Sequence, residues 1–489
     1  MSAEMAIAVA ILLPALGALI IALLGQSPNA RDGAMLLIAS ATFAVVCTIY
    51  PDVASGGRPT LHLLEILPGL DLAFQVEPLG MLFSLVASGL WILTSLYAIG
   101  YMRGHHEENQ TRFFAFFAVA ISAALAAAFS GNMLTLFFSY EVLTLSTYPL
   151  VTHHRTPEAL RAGRIYMGIL LSTSIGLLLL GTLLTYHVAG TLSFIQGGIL
   201  AEHATPLMTA LLLFLYAYGT GKAALMPIHR WLPNAMVAPT PVSALLHAVA
   251  VVKTGVFTIV KVVVYIFGID HLSSTGFHIY LAYIAGGTII LSSLVAMQQD
   301  NLKARLAYST ISQLSYIVLG AALANAHGVL GAGLHIAMHA FGKITLFFCA
   351  GAIMVALHKT EISDMRGIGR QMPFTMAAFI IGSLSIIGVP PMGGSWSKWY
   401  LALGAADTTH LILVGVLMLS SLLNIAYLLP IPARAFFSNA TNDDGHHSDG
   451  LHEAPLFCLI PLCLTALGCV CLFFFTDPIY QLLAPIVQP

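Results

Sequence analysis

The stretch PIHRWLPNAMVAPTPVSALLHAVAVVKTG, residues 227–255, decides the fold. Its second half enters an apolar run long enough to cross a bilayer, yet that run carries His247 and Lys253. Its first half holds PIHRWLP (227–233) and APTP (238–241), and each proline removes a backbone donor and interrupts a helix. A membrane tolerates such an interruption only where protein or a polar cavity satisfies the freed groups. A second interruption, GVPPMGG (388–394), stands just before Lys398. An ionisable side chain at bilayer depth costs about 2.5–3.5 kcal/mol on insertion scales, so each is read as a functional residue.

Composition agrees with a polytopic membrane chain. Of 489 residues 58% are hydrophobic and 8% charged, with a mean hydropathy of +0.89. The formal net charge of -2 supplies no basic field for nucleic acid. The six cysteines include no CxxC pair, so neither a disulfide framework nor a zinc or iron–sulfur site is expected. The apolar stretch near 3–24 follows Glu4 with no Lys or Arg before it and exceeds a signal-peptide core, which reads as a retained helix.

At about 20 residues per span, fourteen helices are predicted in an all-α polytopic fold. They fall near 3–24, 33–50, 78–101, 111–130, 132–151, 162–187, 206–227, 241–268, 277–298, 303–323, 328–357, 373–403, 409–432 and 455–475. Lys and Arg collect on the cytoplasmic side of a membrane. Alternating the loops puts thirteen of them, from Arg31 to Arg434, on one side and Arg58 alone on the other, with both termini outside. The other five, Lys222, Lys253, Lys261, Lys343 and Lys398, lie within apolar runs.

Lys222 precedes the break of the seventh predicted helix, and Lys398 follows the break of the twelfth. An offset of five helices reverses orientation, so helices 4–8 and 9–13 are expected to be inverted repeats. The corresponding divisions are 1–110 for helices 1–3, 111–270 and 271–435 for the two repeats, and 436–489 for a loop and the last helix.

The 227–255 stretch, LKARLAYSTISQLSYIVLG (302–320), HIAMHAFGKITLFF (335–348) and GVPPMGGSWSKW (388–399) resemble the antiporter-like subunits of respiratory complex I, Mrp cation/proton antiporters and membrane-bound hydrogenases. The resemblance runs over about 75–435. It implies a fourteen-helix fold with paired inverted repeats, and proton transfer along a central row of charged and water-bridged residues. Glu141 in FFSYEVLTLS (137–146) resembles the fifth-helix glutamate, whose family partner is the seventh-helix lysine, here Lys222 in GTGKAALMP (219–227). Lys253 and Lys398 resemble the lysines of helices 8 and 12, and His335, His339 and Lys343 belong to the eleventh-helix motif. Lysine at both 253 and 398 resembles the D-type subunit of Mrp antiporters. The implied role is a proton-translocating subunit of a hetero-oligomeric Na⁺/H⁺ antiporter. The alternatives are a proton-pumping subunit of a redox-driven complex and a non-conducting structural subunit.

His335, His339 and Lys343 are spaced by four and share one helix stripe, about 12 Å long. They either relay protons through water or hydrogen-bond to neighbouring helices. His247 is open between relay and packing. Lys261, near a helix end, is read as snorkelling to the interface. The loops GHHEE (104–108), HHRT (153–156) and DDGHHSDGLHE (443–453) are read as solvated rather than metal-binding. No dinucleotide, phosphate-loop or haem motif occurs, so no cofactor, no metal and no redox chemistry of its own are expected.

Overall fold

The computed structural model describes residues 2–67, 70–438 and 450–488, so most of the DDGHHSDGLHE loop lies outside the described residues. In chain order the principal helices are α1 Ala3–Leu23, α2 Pro28–Ala54, α3 Pro78–Gly104, α4 Gln110–Ala128, α5 Met133–Val151, α6 Pro157–Ala189 and α7 Pro206–Gly219. Then follow α8 Thr240–Phe267, α9 His278–Gln298, α10 Leu302–Ala322, α11 Ala326–Leu357, α12 Pro373–Ile387, α13 Gly394–Ala406, α14 Ile412–Phe437 and α15 Leu456–Phe474.

Eleven of these are long and apolar enough to cross a membrane. The exceptions have physical reasons. The chain breaks after α7 and between α12 and α13, which leaves each piece short. α10 is 21 residues long but carries Lys303, Arg305, Gln313 and several serines. Among the described residues one hairpin departs from the helical pattern: β1 Thr60–Leu67 pairs antiparallel with β2 Leu70–Gln75 in a segment expected to be loop.

Side-chain caps fix where the site-bearing helices begin. Asn132 accepts the Thr135 N–H at 2.8 Å to open α5, Asn301 accepts from Ala304 at 3.1 Å to open α10, and Asn325 accepts from Gly328 at 2.8 Å to open α11. Each satisfies a donor that the first turn leaves free. The helices pack around α8, whose membrane-length window is buried in full, while α1, α2, α6, α14 and α15 are mostly outward-facing. Their exposed Leu19, Leu37, Met418 and Leu467 suit a lipid surrounding.

Both breaks are held by protein. After α7 the chain passes through short turns from Thr220 to Pro239, and Trp231 Nε1 donates to the Gly221 carbonyl at 2.9 Å. α12 ends at Gly388 with φ +88°, a conformation that favours glycine. A Cβ there would also stand 2.7 Å from Lys398 Cδ, so glycine lets the lysine stem fold back over the break. α8 contains a π-helical turn over Leu246–Ala250, where His247 sits; such turns recur at functional sites.

Candidate functional site

Lys222 lies inside the first break, in the turn Gly221–Ala223, not on the helix before it as expected. It is fully buried, and its ammonium donates to the Tyr140 carbonyl at 2.8 Å and to Thr144 Oγ1 at 2.5 Å. The same nitrogen stands 3.1 Å from the centre of the Tyr140 ring, and the Lys222 N–H donates to Tyr140 Oη at 3.0 Å. Gly255 makes this seat possible, because a Cβ there would come within 2.4 Å of the Ala223 nitrogen.

The expected Glu141–Lys222 ion pair does not form as a direct contact among the described residues. Both Glu141 oxygens are instead shielded and without a hydrogen-bond partner. Successive helical residues diverge by about 100°, so Tyr140 faces Lys222 while Glu141 shares the outward stripe of Phe138, Val142 and Leu145.

The second cluster crosses from α8 to α13. Lys253 Nζ hydrogen-bonds His339 Nδ1, and the His339 ring lies 5.7 Å from that of His335. His335 Nδ1 is 2.8 Å from Ser397 Oγ, and its Nε2 is 3.2 Å from Gln313 Oε1. A neutral imidazole donates from only one nitrogen. Gln313 can present either its oxygen or its amide nitrogen, so it can serve both protonation states of His335.

One residue beyond Ser397, Lys398 Nζ donates to the Ile387 carbonyl at 3.1 Å and to Ser421 Oγ at 3.2 Å, 4.7 Å from the Tyr316 ring centre. It thereby caps the last turn of α12, where a cation is favoured. A 680 Å³ cavity reaches Lys398, walled mostly by apolar side chains such as Trp396, Trp399 and Leu422.

The expected stripe of His335, His339 and Lys343 forks. Lys343 donates to Ser309 Oγ at 2.5 Å and the Leu306 carbonyl at 3.3 Å, and Ser309 Oγ in turn stands 2.8 Å from Tyr427 Oη. The one hydroxyl proton of Tyr427 goes to Asn424 Oδ1 at 2.5 Å, so the Ser309 hydroxyl donates to Tyr427. His247 is buried with both ring nitrogens unpartnered, 5.9 Å from Trp231. Other buried polar atoms without partners, Thr220 Oγ1, His339 Nε2 and Gln313 Nε2, lie beside the same lysines and histidines. Buried polar atoms are normally satisfied, and those that protein leaves over are the usual places for ordered water.

Two further expectations are corrected. Lys261 does not snorkel: it is fully buried, donates to the Ser130 carbonyl at 2.7 Å and pairs with Glu77 at 3.4 Å. Glu77 is committed too, accepting the Leu79 and Gly80 N–H groups at the start of α3 and Tyr265 Oη at 2.9 Å. GHHEE and HHRT are mostly exposed as expected, except that the Glu107 and His153 side chains are buried beside each other. Reading single charges missed their neutral partners. Ser309, Gln313 and Tyr316 follow one another at spacings of four and three within 302–320, a helical polar face that marks α10 as site-lining. Tyr140 and Thr144 share the same four-residue signal on α5.

Comparison with known proteins agrees with this architecture. Residues 130–424 match the family model described as "NADH:quinone oxidoreductase/Mrp antiporter, TM", and residues 69–114 match "NADH-Ubiquinone oxidoreductase (complex I), chain 5 N-terminus". The NADH-quinone oxidoreductase subunit N of Desulforudis audaxviator is 30% identical over 471 residues, which cover 93% of this chain and 92% of that one. A probable K(+)/H(+) antiporter polypeptide of Rhizobium meliloti is also 30% identical, over 96% of this chain but 47% of its own length. A chain of the Mrp complex from Dietzia sp. superposes with a TM-score of 0.87 at 21% identity, covering 100% of this chain and 97% of that one.

Proposed function

The chain belongs to the NADH:quinone oxidoreductase/Mrp antiporter membrane family, and from that membership we propose that it is the proton-translocating subunit of a multisubunit Mrp-type Na⁺/H⁺ antiporter, equivalent to the D-type subunit. Its path is the row Lys222, His247, Lys253, His339, His335 and Lys398, with Lys343 on a side branch and Glu141 at one outer face. The observation that carries this is the Lys253–His339 hydrogen bond, continued by His335, whose ring lies 5.7 Å from that of His339 and whose Nδ1 is 2.8 Å from Ser397 Oγ, next to Lys398. A proton crosses such a chain by short transfers between groups that alternately donate and accept.

The membrane arrangement proposed is fourteen spans: α12 and α13 form one broken span, and α7 with the turns after it another. The inverted repeats are 111–270 and 271–435, flanked by 1–110 and 436–489, with both termini on the non-cytoplasmic side. The charge count of the loops and the two breaks, each beside a lysine, support this. Half-buried Glu141, beside the exposed Phe138, Val142 and Leu145 of α5, and Lys398, behind exposed Trp396 and Trp399, lie where partner subunits would complete the row.

A proton-pumping subunit of a redox-driven complex is the second reading, favoured by the near-full mutual coverage with the Desulforudis audaxviator relative. Purifying the native complex and identifying its subunits by mass spectrometry separates the two. Other antiporter subunits support the Mrp reading, and quinone- or hydrogenase-type partners replace it. Either assembly in which Lys253→Met leaves proton flux unchanged would make this a structural subunit.

A further inference from the structure

The loops after α3 and α5 meet around one carboxylate. His154 Nε2 stands 3.2 and 3.1 Å from the two oxygens of Glu107, His105 Nδ1 stands 3.1 Å away, and His153 Nε2 3.9 Å. The Glu107 side chain is only 6% exposed, whereas that of His154 is 37% exposed. Behind them lies a cavity of 180 Å³ bounded also by Lys303 and by Thr240 in the first turn of α8. Lys303 donates to the Ala238 carbonyl at 2.7 Å and lies within electrostatic reach of both Glu107 and His247. His247 is two turns along α8 from Thr240. Nothing in the central row uses these groups.

We propose that Glu107, with His105, His153 and His154, is a proton-loading site at the mouth of the buried row, feeding it through the Lys303 cavity toward His247. The inference rests on the reading in which that row conducts. The groups facing the site are known. Arg112 donates to the His153 carbonyl at 2.8 Å, and the His358 ring stands 6.3 Å from that of His105. Glu108, Arg155, Lys359 and Tyr101 complete the surroundings.

Their proton affinities differ in a useful order. The hydrogen bond to Glu107 raises His154 above its ordinary value, although burial opposes it. Burial pushes His153 down to about 4. Burial alone would raise Glu107, but the hydrogen bond from His154 and the neighbouring histidine charges outweigh it and lower the carboxyl. The half-exposed His154, the group of higher proton affinity, therefore captures a proton from bulk and holds it against the Glu107 carboxylate. Onward transfer from Nε2 to a Glu107 oxygen is uphill, so the carboxylic acid forms only in passing, releases its proton into the cavity and becomes a carboxylate again.

The test uses the assembled complex in vesicles, with pH varied on the side of these loops. Glu107→Gln should match the parent near pH 6, yet fall roughly tenfold below it near pH 8.5, where capture is limiting; charge arranged in a cleft changes on-rates by about 10–10³. His154→Gln should change in the same direction with an unaltered melting temperature. Equal loss at every pH alongside a lower melting temperature would make the cluster a loop strap and overturn the proposal, as would parent-like flux at both pH values. Lys253→Met in the same vesicles keeps the two claims apart. Its silence alongside a pH-independent Glu107→Gln sinks only the loading site, while a conducting Lys253→Met sinks the central row.

Discussion

Lys253 Nζ and His339 Nδ1 meet across the α8–α11 interface, and only one of them can carry the excess proton. If the lysine is an ammonium, it donates and His339 accepts as a neutral ring. If His339 is an imidazolium, the lysine must be the neutral acceptor. Two like charges at this separation in a dry interior would repel strongly. The pair therefore has two states that differ by the position of one proton, which is the elementary step of a relay.

His339→Gln keeps a hydrogen-bonding side chain beside Lys253 but removes titration. Proton flux should fall by about 10²-fold, a usual magnitude for losing a positioned acid–base group. The melting temperature of the complex should stay close to that of the parent. Tolerance of Gln with destabilisation by Ala would assign His339 to packing.

Lys398→Arg tests whether a fixed charge suffices at the second break. Arginine can still cap α12 at Ile387, but it does not release a proton at accessible pH. The variant should assemble and keep little of the parent's transport, and Lys398→Ala should keep none. Full transport in the Arg variant would show that Lys398 only holds the break in place.

The sequence carried the frame of this fold well, for a plain physical reason. A bilayer demands long apolar helices, so hydropathy and the prolines at 227–241 and 388–394 reported most of the helices and both breaks. It marked the ionisable groups that the fold buries, such as Lys222, Lys253 and Lys343, because an ionisable group in an apolar run stands out. It did not carry their geometry. Whether Glu141 meets Lys222 depends on which way a single residue faces on α5, and its neighbour Tyr140 took the contact. Lys261 looked like an interface lysine because Glu77, its partner, is far away in sequence. The Glu107 cluster joins loops separated by α4 and α5, and no local pattern announces such a meeting. The β1–β2 hairpin hid for a different reason: its alternation is short, and helices dominate the surrounding signal.

The buried pair of Glu77 and Lys261 should be structural. Lys261→Met leaves a buried carboxylate without its cation and should destabilise the protein by about 3–5 kcal/mol, as seen when one partner of a buried pair is removed. Adding Glu77→Gln should recover part of that loss, because Gln keeps an acceptor for the α3 N-terminus without a charge. Thermal unfolding of the single and double variants in detergent measures both. A Lys261→Met variant as stable as the parent would return Lys261 to the interface.

The Glu107–His154 contact should make the junction of the two loops pH-dependent. Glu107 is lowered, so its contribution is present above the ordinary carboxyl value of 4.5 and is lost as pH falls through its folded value. His154 is raised, so its contribution is full below 6.5 and is lost as pH rises through its own folded value. Amide exchange of residues 104–108 and 152–156 should accordingly be slowest between about pH 4.5 and 6.5, after correction for intrinsic rates. Glu107→Gln should flatten that profile, and a flat profile in the parent would contradict the contact.

The most direct test is proton flux through vesicles holding the complete complex with Lys253→Met. Methionine fills the lysine's space within the fully buried α8 but cannot bind a proton. Flux at the level of empty vesicles, from a complex that retains every subunit and its parent melting temperature, is the predicted result. Parent-level flux from that same complex would show that protons cross elsewhere and would contradict the account.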